Sequence, residues 1–216
     1  MRHFFLHQLD NLNQSVSDMG EKVDTIISQS ICAFKNLDVS LSSKIVNEDK
    51  LINEKEHNIE KFCLNMIALQ QPMASDLRNI TACLKIITDI ERIADHCADI
   101  CEIVMSSKIS SESANMGRII SLLDCVQVMF KNVLNVFSSQ NVDDAVNICS
   151  QDDEIDSLFS DIVLSICKAI AKNSLYVESE VDLLFIAKYA ERIADHCTNI
   201  AEWVIYMKTG QHPELN

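Results

Sequence analysis

The sequence predicts an all-α protein of six long antiparallel helices, arranged as two tandem three-helix bundles. Three observations carry this. Only three Gly and two Pro occur in 216 residues, too few turn formers for a many-stranded fold. Apolar residues recur three and four apart over long stretches, the period of a helix with one buried face. The segment Glu91-Arg92-Ile93-Ala94-Asp95-His96-Cys97 returns a hundred positions later as Glu191-Arg192-Ile193-Ala194-Asp195-His196-Cys197, and through Val104 and Val204 ten of fourteen positions are identical. A repeat of that length implies a unit of half the chain. We therefore expect one bundle over residues 1–108 and a second over 109–216.

The first helix is expected from Phe4 to about Asn36, on the seam Leu9, Leu12, Val16, Met19, Val23 and Ile26, with Gly20 interrupting but not breaking it. A polar connection near 38–43 leads to a second helix whose seam reads Ser42, Ile45, Asp49, Ile52, Glu56, Ile59, Cys63, Met66. Two carboxylates stand there where apolar residues belong. Gln70-Gln71-Pro72 ends that helix and sets Pro72 in the first turn of the third, where its missing N–H costs nothing. The third helix runs to about Lys108 on Leu77, Ile80, Leu84, Ile87, Glu91, Ala94, Ala98, Cys101 and Met105, with Asp76 and Arg78 read as a helix-end pair. The polar stretch 106–115 marks the boundary between halves. The pattern then repeats in a fourth helix (Ile119 to Val136), a fifth after Asn141 in which Asp152 stands where Asp49 stood, and a sixth after a turn at 172–176. Gly210 and Pro213 close the last one.

A net charge of −14 with no Lys/Arg cluster excludes nucleic-acid backbone contact as a main activity. Nine scattered cysteines lack a Cys-x-x-Cys pair and read as reduced, buried, small apolar residues; Cys97 and Cys101, one turn apart, are a weaker candidate thiolate pair. No apolar run approaches the length of a membrane span, and the opening Met1 to Asp10 has too short an apolar stretch for a signal peptide. A cytoplasmic location is expected. No Gly-rich phosphate loop or nucleophile motif is present, so the sequence does not point to an enzyme.

Two helices joined by a tight turn bring residues equidistant from that turn side by side. This places Asp49 and Asn53, four apart on the second helix, opposite Glu91 and Asp95 on the third; Asp152 and Asp156 likewise face Glu191 and Asp195. Carboxylates converging in a bundle repel one another and lose hydration unless protonated, paired or neutralised by a cation. These eight residues are the candidate metal ligands. Oxygen donors favour a hard or borderline divalent or trivalent ion: iron, manganese, magnesium or calcium. Asn53 removes one charge, so the first site is expected to bind less tightly. Asp99 and Glu102, with Asn199 and Glu202, continue the acidic edge. Arg92 and Arg192 are expected to make surface ion pairs. His96 and His196 are expected to hydrogen-bond at the surface or between helices. Glu54 with His57 alone has the Glu-x-x-His spacing of a di-iron oxidase or metal-storage bundle, and both lie off the seam.

Gln71-Pro72 with Asp76-Leu77-Arg78, the doubled Glu-Arg-Ile-x-Asp helix, the second copy's Asp-His-x-x-Asn-Ile-Ala-Glu and the closing Thr209-Gly210 together resemble the PhoU family of phosphate-signalling regulators. The resemblance spans essentially the whole chain. It implies two three-helix bundles related by a pseudo-twofold axis and a non-enzymatic, homodimeric negative regulator of the phosphate-starvation response. It also implies partners: the ATPase of the phosphate ABC transporter and a sensor histidine kinase, through which alone the protein would meet the membrane. Metal clusters on the eight residues named above are implied as well. A related role, accessory subunit of a low-affinity phosphate carrier, is the alternative. Ala94 and Ala194 stand where the family often has Gly, and Asn53 where it has an acid.

Overall fold

The computed structural model describes residues 2–106, 109, 113–211 and 213. In order the elements are α1 (Arg2–Asn36), α2 (Val39–Gln70), α3 (Ala74–Ser106), α4 (Ala114–Ser139), α5 (Val142–Lys172), a 3₁₀ turn (Ser174–Tyr176) and α6 (Val177–Thr209). No strand occurs among the described residues.

Two three-helix units are present, but they share one core. α1 packs on α3, α3 on α6, α6 on α4 and α4 back on α1, so four helices close a central ring; α2 then covers α1 and α3, and α5 covers α4 and α6. Burial follows this position. The flanking α2 hides a single stripe, Ser42, Ile45, Ile52, Ile59, Cys63 and Met66. The central α3 buries two faces at once, with Ile86, Ile93 and Ile100 one heptad apart beside Cys83, Ile87, Ile90, Ala94, Cys97 and Cys101. Of the expected seam, Ile80, Ile87, Ala94 and Cys101 are buried while its ends, Leu77 and Met105, are exposed, and packing on α6 adds a second buried face. α1 and α4 come close at Gly20, where a Cβ would run into the Leu134 side chain. The glycine that interrupts the seam is a close-approach point between the halves.

Three local details differ from the sequence expectation. The first connection is only Leu37–Asp38, because Asp38 caps α2 by accepting from the Leu41 N–H at 3.0 Å. Its amide and that of Leu37 (φ 50°) meanwhile bond back to Ala33 and Phe34, the paired contacts of a Schellman turn. Pro72 precedes α3 and is not in its first turn, since left-handed Gln71 (φ 45°) ends α2 and the new helix begins at Ala74. Asp76 pairs across the bundle with Arg2, not with Arg78. The third helix ends at Ser106; Lys108, its expected end and the expected boundary of the halves, lies outside the described residues. Gly210 (φ 75°) stops α6 as expected. α4 is the one helix among the described residues long and apolar enough by composition to cross a membrane. Its Ile119, Leu122, Val126, Met129, Phe130 and Val133 are buried in the protein core.

Candidate functional site

Asp49 occupies a stripe position between Ile45 and Ile52 on α2, and Asp152 the equivalent place between Ile148 and Ile155 on α5. Apolar neighbours one turn away on each side turn both carboxylates into the helix interface. In both, Oδ1 is buried without a hydrogen-bond partner. Orphaned acceptors are rare in folded proteins, and finding the same one twice marks the position as built for something besides packing.

In the first half, Asp49 Oδ2 accepts from Asn53 Nδ2 at 3.2 Å. Burial, and then the charge of Asp95, raise the Asp49 pKa. Glu91, its side chain only 15% exposed, is raised by burial and then by Asp95, with Glu56 and Asp49 adding to this and Arg92 opposing it. Structure thus brings Asp49, Glu91 and Asp95 within electrostatic reach. Asn53 is exposed, and its hydrogen bond runs along α2 to Asp49. Arg92 does make ion pairs, as expected, but with the site's own acids: Asp95 at 3.0 Å and Glu91 at 3.5 Å.

The second half repeats the arrangement with different neutralising partners. Burial, then Asp156 and Asp195, push the Asp152 pKa up to about 6. Asp195 and Asp156 are each raised by burial and next by Glu191, and in both Lys188 pulls the other way. Glu191 is ion-paired with that lysine. Lys188, Glu56 and Thr88 were not among the candidate ligands. Lys188 lies on the same face as Glu191 three residues on, a spacing that could have signalled it.

His96 and His196 stand apart from the carboxylate seams, between α3 and α6, with ring centroids 5.7 Å apart. His96 Nδ1 lies 3.2 Å from Asp99 and its ring stacks on Tyr189, while His196 Nδ1 lies 2.8 Å from Asp89 across the halves. Burial lowers the His96 pKa. His57 pairs with Glu60, both well exposed on α2, so no inward Glu-x-x-His pair forms there. Cys97 and Cys101 are buried, and burial pushes both thiols up to about 12, which keeps them protonated and unsuited to metal.

Chemically, the two seams offer carboxylate oxygens, and burial raises the pKa of Asp49, Glu91, Asp152, Asp156 and Asp195. The donor set fits a hard cation in kind. As they stand, no three His, Cys, Asp or Glu side chains among the described residues are close enough together to hold one ion. A cation here would draw the acids inward or complete its shell with other ligands.

The PhoU domain model matches this chain twice, over residues 16–104 and 119–204. A phosphate-specific transport system accessory protein PhoU homolog of Clostridium acetobutylicum is 32% identical over 216 residues, covering 100% of this chain and 99% of that protein. The accessory protein PhoU of Escherichia coli is 31% identical over 207 residues, 96% of this chain and 86% of that one. The crystal structure of the phosphate transport system regulatory protein PhoU from Streptococcus pneumoniae superposes with a TM-score of 0.91 at 27% identity, covering 97% of this chain and 99% of that chain. With both Glu-Arg-Ile-Ala-Asp motifs inside matched segments and the fold shared along nearly its whole length, this chain belongs to the PhoU family.

Proposed function

We propose that this protein is a cytoplasmic negative regulator of the phosphate-starvation response. As a homodimer, it would link the ATPase of the phosphate ABC transporter to a sensor histidine kinase. Family membership makes it an accessory or regulatory protein of phosphate transport and not an enzyme. The observation that carries the finer reading is the match of both halves, motifs included, to proteins named as accessory to phosphate-specific transport. That name favours the ABC transporter over a low-affinity carrier as the partner. The oxidase or storage reading lacks its histidines: His96, His196 and His57 all pair elsewhere.

An adaptor needs no reacting atoms. It needs rigid faces that partners can share, and a ring of four helices braced by two more supplies them. Metal on Asp49, Asn53, Glu91 and Asp95, and on Asp152, Asp156, Glu191 and Asp195, would neutralise the seams and lock α2 to α3 and α5 to α6, stiffening those faces. Iron, manganese, magnesium and calcium all suit the oxygen donors. Deleting the gene should switch on phosphate uptake and phosphatase in phosphate-replete cells; unchanged repression would overturn the regulatory reading. Pull-downs from membranes with and without phosphate should recover the transporter ATPase and the kinase. Metal-loaded, desalted protein should retain ions that a Glu91→Ala/Glu191→Ala double variant loses.

A further inference from the structure

The outer groove between α4 and α5 differs in polarity and charge from its counterpart between α1 and α2. Asn132 Nδ2 of α4 donates to Gln151 Oε1 of α5 at 2.9 Å, across the line where the two antiparallel helices meet. On one side of this bridge is a depression of about 360 Å³ with Cys125, Val128, Ile155 and Leu158 as its apolar lining and Asp124 and Glu154 as its acids. Val128 and Leu158 are 57% and 39% exposed there. On the other side is a depression of about 380 Å³ over buried Val136 and Ile148, lined by Asn135, Ser139, Asn147 and one acid, Asp144. From Asp124 to Ser139 the two run ~22 Å along α4. The lining holds three carboxylates and no base. Lys131, beside Asn132, turns to the α1 side, 3.8 Å from Asp24. Arg118 on α4, and Asp161, Lys168 and Lys172 on α5, lie beyond the groove's end.

The matched segments begin at residues 16 and 119, and Asp49 and Asp152 keep the same offset. By that offset Cys125, Asn147 and Leu158 replace Lys22, Lys44 and Lys55 of the first half, and Val128 replaces Thr25. The first groove thus carries those three lysines against two acids, Glu21 and Glu48, with Lys44 paired to Glu48 at 3.7 Å.

We propose that the groove between α4 and α5 is the docking site for a basic amphipathic helix of a partner protein. Its apolar stripe sits between Val128 and Leu158, and its Lys or Arg side chains lie over Asp124, Glu154 and Asp144. The inference deepens the adaptor reading, on which it rests, by naming the face a partner uses and the chemistry that reads it. Two packed helices leave a furrow that a third can follow, and this one is open over about four turns. Exposed Val128 and Leu158 supply apolar area that docking removes from water, at the place where a partner's anchor residue would be enclosed. Acids without a base beside them attract a basic partner and reject an acidic one. That disfavours the other occupants. A second copy of this chain, at net charge −14, would set carboxylates against carboxylates, and an anionic lipid surface would be repelled in the same way. The amides of Asn132, Asn147 and Gln151 keep donors and acceptors for the incoming side chains. Lys22, Lys44 and Lys55 stand against the same helix in the first groove, so each chain offers one such site.

The test uses full-length protein and two synthetic helical peptides of about 18 residues with the same leucine stripe, one bearing lysine and one glutamate on the polar face. Fluorescence anisotropy reads the affinity, and amide NMR shifts locate the peptide. The lysine peptide should bind about tenfold or more tightly than the glutamate peptide, move the amides around Val128, Gln151 and Leu158, and weaken as salt rises. Cys125→Lys/Leu158→Lys, which copies two lysines of the first groove into the second, should weaken it by about tenfold or more. Ser28→Lys/Asn58→Lys, which adds the same charge at exposed sites of the first half, should leave affinity within about twofold. Leu158→Ser serves if the double groove variant does not fold. Shifts centred away from the groove, or an equal loss in both double variants, overturn the inference. Self-association that the groove variant abolishes would give the groove to a second copy, and pelleting of wild type with phosphatidylglycerol vesicles would give it to a membrane; either outcome overturns it too. Derepression on gene deletion with no peptide bound in the groove overturns the inference and leaves the regulatory reading standing. Unchanged repression on deletion removes the regulatory reading itself, and with it this inference.

Discussion

His196 of α6 places Nδ1 2.8 Å from Asp89 Oδ1 of α3, and this bond ties one half of the protein to the other. Asp89 also accepts from Asn199 Nδ2 at 3.3 Å, so one carboxylate serves two residues of the second repeat. Both side chains are mostly covered, at 22% and 14% exposure. The repeat is not symmetric here: Tyr189 occupies the place corresponding to Asp89, and His96 stacks on it. Asp89→Ala should lower stability by about 1–3 kcal/mol, since it strands a buried imidazole. In a urea-unfolding cycle, Asp89→Ala and His196→Ala together should cost less than the sum of the singles by at least about 0.5 kcal/mol.

The metal-free protein should be more stable at mildly acidic pH than at neutral pH. The Asp152 pKa rises from an ordinary 3.8 to about 6 on folding, so between those values the folded state holds more protons than the unfolded one. Its unfavourable contribution is absent below the unfolded pKa and complete once pH has passed the folded one; stability falls in between. Asp49, Glu91, Asp156 and Asp195 shift in the same direction. Asp152→Asn should stabilise the chelated protein at pH 7 by roughly 2 kcal/mol and flatten its melting profile between pH 4 and 6. A steeper profile in the variant would contradict this.

Position in the ring should decide mutational cost. Ile90, fully buried on α3, should lose about 2–5 kcal/mol as Ile90→Ala, and Phe130→Ala on α4 about 3–5 kcal/mol. Leu164, 58% exposed on the outer side of α5, should change stability by less than about 0.5 kcal/mol as Leu164→Ala. Chemical denaturation of the three variants separates the central from the flanking layer.

Helix ends offer a local check. Removing the cap with Asp38→Ala should cost about 1 kcal/mol, because the Leu41 N–H loses its acceptor. Gln140, which ends α4 at φ 51°, should gain roughly 0.5–1 kcal/mol as Gln140→Gly, since glycine adopts that backbone without a Cβ clash. Thermal melting of both variants should move in opposite directions.

Helix number, helix order and the pairing of Asp49 with the Glu91 helix were legible in the sequence because each follows from local rules. Period fixes which side of a helix is apolar, and loop length fixes which neighbour it meets. The substitutions between the repeats were legible too, but their meaning was not. Lys188 reads as one more surface lysine until Glu191 and Phe159 are seen on either side of it. The shortness of the Leu37–Asp38 connection is not legible in the sequence, because a left-handed leucine in place of glycine hides the end of α1.

By itself the sequence determined an all-helical chain of two related halves, each with a carboxylate pair on a seam, since hydrophobic period and repetition are properties of the chain alone. Only the tertiary structure decided that the halves close a common ring, that the Phe159 ring of α5 lies against the Lys188 ammonium of α6, and that His196 bridges to Asp89. Those outcomes depend on how far two helices approach and at what rotation, which are set by the summed packing of side chains distant in sequence. No local pattern carries that information.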